Sequence, residues 1–282
     1  MQFCRRMCFA RSVIIVPKCN NNQMRVTFTI NIQKEISLPV DYRELLAATV
    51  RRVISGSKSD YMRHLNRPDE LAASDHGFDL YTFSDLRGKN KIVEGQVVFL
   101  AGPITWAFAS PVDELVHDVS MKLSTQGFIH LQSVSLPITS VATAEQPSFP
   151  AGMSSVPTHM LCLSPLLASA VSAEGSRYFL TPADGLAFSN AMGQNLVLKY
   201  RALNGKEPGS TLFQCTFDAP LIARGGGIRQ IAFGGHQHAA AFSPFAVSGS
   251  ADLISLGYSA GFGERTSHGF GMAEIVTKKP IR

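Results

Sequence analysis

The chain has 282 residues, of which 45% are hydrophobic and 17% are charged, proportions typical of a packed globular protein. No apolar run approaches the roughly 18 residues that a bilayer-spanning helix needs, so we expect no membrane partner. The formal net charge is +5, but residues 1–23 contain four basic and no acidic side chains, which leaves about +1 for the rest. Overall charge therefore does not by itself predict nucleic-acid binding, and any such site must come from local clusters.

Residues 1–23 differ from the rest of the chain, because they hold three of the five cysteines as well as this basic excess. A regular strand pattern begins only after Met24. We therefore interpret residues 1–23 as a loose, dispensable N-terminal extension. No cysteine and histidine spacing matches a zinc site, so neither a metal nor a cofactor is expected. The cysteine usage fits a reducing cytoplasm, which is the expected location.

The first half of the chain alternates between strand and helix patterns. Apolar residues at every second position from Val26 to Ile32 predict a half-buried strand. Asp41 and Glu44 have the spacing of a helix start, and Gly56 follows the end of that helix. Further on, the pattern predicts a short helix at 58–65, strands at 80–84, 92–100 and 104–109, a helix at 110–126, and a strand at 128–136. This order of elements is that of the ferredoxin-like fold.

The order of elements is repeated in the second half. Residues rich in proline, serine and alanine, 138–158, are predicted to be a linker. The following elements are strands at 160–163 and 178–180, a helix at 181–203, and strands at 211–217, 228–233, 239–245, 253–259 and 272–276.

A doubled Gly-Phe-Gly motif lies between the last two predicted strands. Gly261-Phe262-Gly263 and Gly269-Phe270-Gly271 are separated by five residues that include Arg265 and His268. Glycines that adopt positive φ can turn several backbone N–H groups toward one anion. Arg265 could add a bidentate contact to a phosphate, and the two phenylalanines could anchor the loop to a core. The alternative is a tight hairpin with glycines at its turn and bulge positions.

The segment from Gly261 to Met272 resembles the C-terminal glycine-rich signature of the CRISPR repeat-processing endoribonucleases of the RAMP superfamily. The resemblance extends more weakly from Met24 to the end of the chain. It implies an α+β fold with two tandem ferredoxin-like (βαββαβ, RRM-like) domains. We place these domains at residues 24–137 and 159–282, on either side of the linker at 138–158.

The resemblance also implies metal-independent cleavage of RNA. The ribose 2′-OH attacks the adjacent phosphate and leaves a 2′,3′-cyclic phosphate and a 5′-OH. This reaction needs a base, an acid and positive charge near the phosphorane, and histidine suits the proton transfers because it titrates near neutrality.

The resemblance implies a catalytic histidine between the first helix and the strand that contains Thr82-Phe83-Ser84. His76 and His64 lie in that interval, and His76 is the leading candidate because it occupies a polar loop. Arg51 falls near the position of the family's helix tyrosine and could stabilise charge. Asp79 stands where the family usually has a lysine. His268 is a further candidate, either for catalysis or for stacking on RNA.

The expected partner is CRISPR repeat RNA, single-stranded or folded as a hairpin, and other CRISPR effector subunits are further expected partners. The predicted RNA-binding residues come from the glycine motif and from short basic clusters. They are Gly261, Gly263, Arg265, His268, Gly269, Gly271, Arg224, Arg229, Lys58 and Arg63.

Two other functions remain open at this point. A RAMP subunit that binds RNA without cleaving it would fit Asp79, and it would fit the displacement of His64 and His76 from the histidine position that the resemblance implies. A pair of ferredoxin-like domains that binds a small anion would use the glycine motif as a phosphate cradle.

The interpretation of residues 1–23 can be tested by truncation. A chain that starts at Met24 should keep the melting temperature and the RNA affinity of the full chain, because the first strand pattern begins there. A fall of several degrees in melting temperature would show instead that the extension packs against the domain.

Overall fold

The computed structural model describes residues 23–55, 80–149, 153–233 and 236–276. Its N-terminal half contains β1 (Gln23–Ile32), β2 (Ile36–Pro39), α1 (Arg43–Ser55), β3 (Thr82–Phe83), β4 (Asn90–Val93), β5 (Gln96–Phe99), β6 (Gly102–Ala109), α2 (Asp113–Gln126), β7 (Phe128–Leu131) and β8 (Val134–Glu145).

The C-terminal half begins with the strand that follows residue 152. It contains β9 (Met153–Cys162), β10 (Ser169–Val171), β11 (Arg177–Phe179), α3 (Gly185–Asn204), β12 (Phe213–Phe217), α4 (Ala219–Ala223), β13 (Ile228–Phe233), β14 (His236–Ala241), β15 (Phe245–Ser250), α5 (Ala251–Ala260) and β16 (Ala273–Ile275). Single 3-10 turns span Pro182–Asp184 and Thr266–His268.

The N-terminal sheet has the strand order β3-β6-β1-β8-β7, and β1 pairs antiparallel with both β6 and β8. The alternation predicted for β1 is confirmed, because Val26, Phe28 and Ile30 are fully buried. Trp106 of β6 stacks on Phe28, with the two ring centroids 5.5 Å apart. Helices α1 and α2 pack against each other, and α2 packs on β1. The strands β1, β3, β6 and β8 with these two helices form one ferredoxin-like unit.

The C-terminal sheet has the strand order β12-β15-β9-β16, which repeats the arrangement of the first unit. Helix α3 connects β9 to β12, and α5 connects β15 to β16. The sequence of elements is therefore again βαββαβ. The predicted fold class, two tandem ferredoxin-like domains, is confirmed.

One predicted strand is a helix. Residues 253–259 were expected to be extended, but they lie within α5. Leu253, Ile254, Leu256 and Ala260 are buried on its inner face. A short apolar run can form either a buried strand or a buried helix, and its local pattern does not distinguish them. Here the topology decides, because β15 and β16 both flank β9 and a helical connection must link them.

The strand boundaries also differ from the sequence-based prediction. Residues 92–100 form a hairpin rather than one strand, with Glu94 and Gly95 at positive φ in its turn. Most of the predicted linker at 138–158 is extended, since 138–145 continue β8 and 153–158 begin β9. The predicted helix at 58–65 and residues 1–22 lie outside the described residues. The domain boundaries themselves remain a prediction.

A buried ion-pair cluster joins the two halves of the chain. Arg43 of α1 donates two hydrogen bonds to the Asp85 carboxylate, at 2.6 and 3.2 Å. Arg229 of β13 donates to the same carboxylate at 2.7 Å. Only 9% of the Arg43 side chain and 11% of the Asp85 side chain are exposed, whereas Arg229 is 40% exposed. One buried carboxylate thus binds two guanidinium groups from different halves.

Arg25 of β1 makes a second connection across the same seam. Its Nη2 donates to the carbonyl oxygens of Tyr258 and Ala273, at 3.2 and 2.8 Å. Its guanidinium also lies 4.2 Å from the centre of the Tyr258 ring. Burial lowers the pKa of Arg25, and the neighbouring Tyr258 and Glu274 oppose that effect.

Within the described ranges, no helix is both long and apolar enough to cross a membrane.

The ion-pair cluster predicts that two charge-removing substitutions lower the free energy of unfolding by very different amounts. Asp85→Asn should lower the free energy of unfolding by about 3–5 kcal/mol, because it leaves buried guanidinium charge without its partner. Glu207→Gln is the matched control, since it removes the exposed Arg201–Glu207 pair, whose side chains are 42% and 63% exposed. That change should cost less than about 1 kcal/mol. Urea denaturation measures both values, and equal costs would contradict a joining role for Asp85.

Candidate functional site

The glycine loop, residues 261–271, follows α5 and is closed by one backbone hydrogen bond. The N–H of Phe262 donates to the carbonyl of Gly271 at 2.8 Å. Phe262 is fully buried and Phe270 is 2% exposed, so the predicted apolar anchors are confirmed. Between them, the 3-10 turn at Thr266–His268 carries the polar centre of the motif.

All four glycines of the motif have positive φ, between +79° and +87°. A Cβ at Gly263 would lie 2.2 Å from the carbonyl oxygen of Leu167. A Cβ at Gly271 would lie 2.4 Å from the carbonyl oxygen of Phe262. Both positions therefore need glycine for two reasons, the left-handed backbone and the close approach of another backbone segment.

The backbone N–H groups of the loop point mainly into the protein. Glu264 donates to the carbonyl of Leu167 and Gly271 donates to that of Pro165, both at 2.8 Å. His268 donates to the carbonyl of Arg265 at 2.9 Å. These glycines thus form a buried frame, closer to the tight-turn alternative than to an open ring of N–H donors. RNA contact by Gly261, Gly263, Gly269 and Gly271 remains a prediction.

The N-terminal half supports this frame through β3. Thr82 donates its hydroxyl to the carbonyl of Phe270 at 2.8 Å. A Cβ at Gly269 would lie 2.5 Å from the Phe83 ring, so that glycine allows the loop to pack on β3. Strand β3, which contains Thr82 and Phe83, is therefore in direct contact with the glycine loop. It is the strand before which the resemblance implies a catalytic histidine.

Lys199 is the residue of this frame that sequence reasoning missed. It is 2% exposed, and its Nζ donates to the carbonyls of Gly261 and Gly263 at 2.8 and 2.9 Å. The available signal was its register in α3. Phe188, Met192 and Leu196 form the buried face, and Lys199 continues it at helical spacing. A lysine in that register needs polar partners inside the protein.

Arg51 and His268 lie together at the surface. Arg51 Nη1 is 3.5 Å from His268 Nε2, although the residues are 217 positions apart in sequence. The other ring nitrogen, Nδ1, lies 3.2 Å from the hydroxyl of Ser267. Arg51 is exposed near the end of α1, and His268 is partly exposed in the glycine loop. A cation and a group capable of proton transfer from the two halves thus share one surface.

Arg265 lies three residues before His268 in the glycine loop, at φ +54°, a left-handed conformation that is uncommon outside glycine. Partial burial lowers the pKa of Arg265, Glu264 opposes this effect and Arg177 adds to it. Glu264 accepts hydrogen bonds from the backbone N–H and the hydroxyl of Ser169, at 3.0 and 2.7 Å. Arg265 and His268 border a cleft of about 550 Å³ between the loop and α3.

The remaining predicted RNA-binding residues lie elsewhere. Arg229 stacks 3.5 Å from the centre of the Phe242 ring and borders a second cleft of about 700 Å³. Arg224 is exposed, and its Nε donates to the carbonyl of Pro220 at 3.1 Å. Four candidates lie outside the described residues: His64, His76, Lys58 and Arg63. In the part of the chain that is described, no cluster of three His, Cys, Asp or Glu side chains could hold a metal ion.

Comparisons with known proteins agree with this geometry. Residues 149–275 match the family model of the CRISPR associated protein Cas6 C-terminal region. No curated protein sequence matches the chain.

Three solved structures share its fold. A Cas6-related protein from Pyrococcus furiosus has a TM-score of 0.75 at 18% identity, covering 91% of this chain and 100% of its own. A CRISPR associated protein Cas6 has a TM-score of 0.68 at 21% identity, with 90% and 100% covered. A RAMP protein that binds different RNA substrates has a TM-score of 0.72 at 18% identity, also with 90% and 100% covered.

The chain thus shares the fold of solved Cas6-related and RAMP proteins. Residues 149–275, which include the glycine loop, match the Cas6 C-terminal family model, so this part of the chain is similar to Cas6 proteins. The resemblance found in the glycine motif is thereby confirmed.

The buried frame predicts that Gly263→Ala destabilises the protein beyond the usual cost of a positive φ. Gly205→Ala is the matched control, because Gly205 has φ +64° but no atom within 4 Å of its Cβ position. The control should cost about 1–2 kcal/mol, the usual penalty of a left-handed residue. Gly263→Ala should cost at least twice as much, because its Cβ meets the Leu167 carbonyl. Similar unfolding free energies for the two variants would show that the loop moves aside at little cost.

Proposed function

We propose that the chain is an endoribonuclease that binds CRISPR repeat RNA and cleaves it in precursor transcripts. The observation that carries this proposal is the contact between Arg51 and His268 at 3.5 Å. The likeness to the Cas6 family model and to the RAMP fold supports RNA as the substrate. Because the substrate is a transcript, we place the reaction in the cytoplasm.

In the proposed reaction the 2′-OH attacks the neighbouring phosphorus and loses its proton to a base. The bond from phosphorus to the 5′-oxygen breaks, and that oxygen receives a proton from an acid. The products are a 2′,3′-cyclic phosphate and a 5′-OH. The Arg51 guanidinium would stabilise the negative charge that develops on the phosphorane oxygens. Proton transfer falls to histidine, and no metal is required.

Three histidines are candidates for that proton transfer. His268 already lies beside Arg51. His76 remains the leading candidate and His64 the reserve, because residues 56–79 connect α1 to β3. Both of these elements contact the turn that carries His268. The segment that contains the two histidines therefore starts and ends on elements of the proposed site.

RNA binding would use the surface around the glycine loop. Arg265 and His268 line the cleft beside the loop, and Arg224 is exposed after α4. Arg229 would contribute less charge, because Asp85 already pairs with it. Lys58 and Arg63, which lie outside the described residues, are proposed as further RNA contacts. Other CRISPR effector subunits are proposed as further partners.

A second candidate function is an RNA-binding RAMP subunit without nuclease activity. Asp79 favours it, because an acid stands where the family usually has a lysine. Incubation of the protein with repeat RNA in EDTA distinguishes these functions. Cleavage to cyclic phosphate and 5′-OH ends supports the endoribonuclease. A mobility shift without cleavage supports the binding subunit. If neither cleavage nor a mobility shift is observed, the small-anion alternative remains.

Substitutions at the proposed catalytic residues should separate rate from affinity. His76→Ala should lower the single-turnover cleavage rate by about 100-fold to 10,000-fold, because a proton-transfer group acts in the transition state. Arg51→Ala should lower it by about 100-fold or more. The dissociation constant for repeat RNA should change little in either variant.

Arg52→Ala is the matched control for Arg51→Ala, since Arg52 is an exposed arginine at the next position of α1. It should leave the rate unchanged. If His64→Ala or His268→Ala abolishes cleavage while His76→Ala does not, the proton transfer belongs to that residue. Wild-type rates in all three histidine variants would contradict histidine catalysis in this protein.

A further inference from the structure

The cleft beside the glycine loop is well placed to hold a part of the RNA next to the scissile phosphate. It has a volume of about 550 Å³ and lies between α3 and the loop. This size is in the range of pockets that bind small molecules or single nucleotides. His268 borders the cleft and also contacts Arg51. The cleft therefore adjoins the proposed catalytic surface through one residue.

The wall that α3 contributes has an unusual composition for a helix surface. From Gly185 to Leu198 the helix has no charged side chain. Asn190 and Gln194 are exposed one turn apart, on the side that borders the cleft. A solvent-facing stripe of a helix usually carries charged residues. A row of amides offers donors and acceptors together, which suits a ligand with both.

Asn195, on the same helix, has a side-chain oxygen that lacks a hydrogen-bond partner among the described residues. It also lines the cleft, and its Oδ1 is buried without a hydrogen-bond partner in the described part of the structure. Buried polar atoms in folded proteins nearly always have a partner, so this acceptor calls for one.

The charged groups at the cleft favour a ligand with a phosphate. Arg265 and Arg177 both border it, against the single carboxylate of Glu264. That carboxylate already accepts hydrogen bonds from Ser169, and it pairs with Arg177 at 3.5 Å. The remaining positive charge therefore attracts an anion, and guanidinium groups are suited to phosphate oxygens.

We propose that this cleft binds one unpaired nucleotide of the repeat, adjacent to the scissile phosphate. Asn190 and Gln194 contact the edge of its base, and Arg265 and Arg177 contact its phosphate. Asparagine and glutamine amides pair best with adenine, which presents a donor and an acceptor side by side. Unpaired bases are the parts of RNA that proteins read most directly. This inference rests on the proposed function, because it assumes that the chain binds repeat RNA.

The test combines protein variants with abasic RNA. Each position of a repeat with a 2′-deoxy block at the cleavage site is replaced in turn by an abasic nucleotide. Wild-type protein should lose about tenfold in affinity at one position next to the cut. The double variant Asn190→Ala/Gln194→Ala should bind the intact repeat about tenfold more weakly. It should show no further loss at that abasic position.

Asn204→Ala is the matched control, because Asn204 is an exposed amide at the end of the same helix and does not border the cleft. Asn204→Ala protein should lose affinity at the same abasic position and by the same factor as wild-type protein. Gln194→Glu provides a second variant of the same size, and its negative charge should weaken binding of the intact repeat. Circular dichroism and melting temperature should be unchanged in all variants, since the substituted side chains are exposed.

The outcomes separate this inference from the proposed function. If an abasic nucleotide weakens binding to the double variant as much as it weakens binding to wild-type protein, the cleft does not bind a base. Cleavage of the repeat by wild-type protein would still support the endoribonuclease. If wild-type protein neither binds nor cleaves repeat RNA, both proposals fail.

Discussion

The candidate site depends on a place where two backbone segments touch. The glycine loop lies against Leu167 so closely that no side chain fits at Gly263, and the two ends of the loop are so close that none fits at Gly271. Lys199 holds the loop from inside by donating to two of its carbonyls. This arrangement satisfies buried carbonyl groups that would otherwise be costly. It also makes the loop rigid, so the side chains at its turn have defined positions.

The rigid loop presents polar groups both to the N-terminal unit and to the cleft along α3. His268 meets Arg51 of the N-terminal unit, and both His268 and Arg265 border the cleft along α3. Loops held by a rigid frame are common positions for binding and catalytic residues. The seam around Asp85 supports this arrangement, because it joins α1 to β13 and keeps the two units in register.

Much of the fold could be predicted because its strongest signals are local. The alternation in β1 and the left-handed Gly127 at the end of α2 needed only neighbouring residues. The prediction was wrong for residues 253–259, where a short apolar run fits a strand or a helix equally well. Their helical state follows from the connection between β15 and β16, which only the arrangement of the sheet shows.

The sequence by itself determined the doubled glycine motif, its apolar anchors and therefore the family to which the motif points. Only the tertiary structure decided what those glycines do. The N–H groups of Glu264 and Gly271 turn inward because Leu167 and Pro165 supply acceptors about a hundred residues earlier in the chain. The partnership of Arg51 with His268 spans 217 positions, and no local pattern reports such a contact. The sequence thus predicted which chemical groups the loop carries. The orientation of its N–H groups and the contacts of its side chains depended on packing between distant segments.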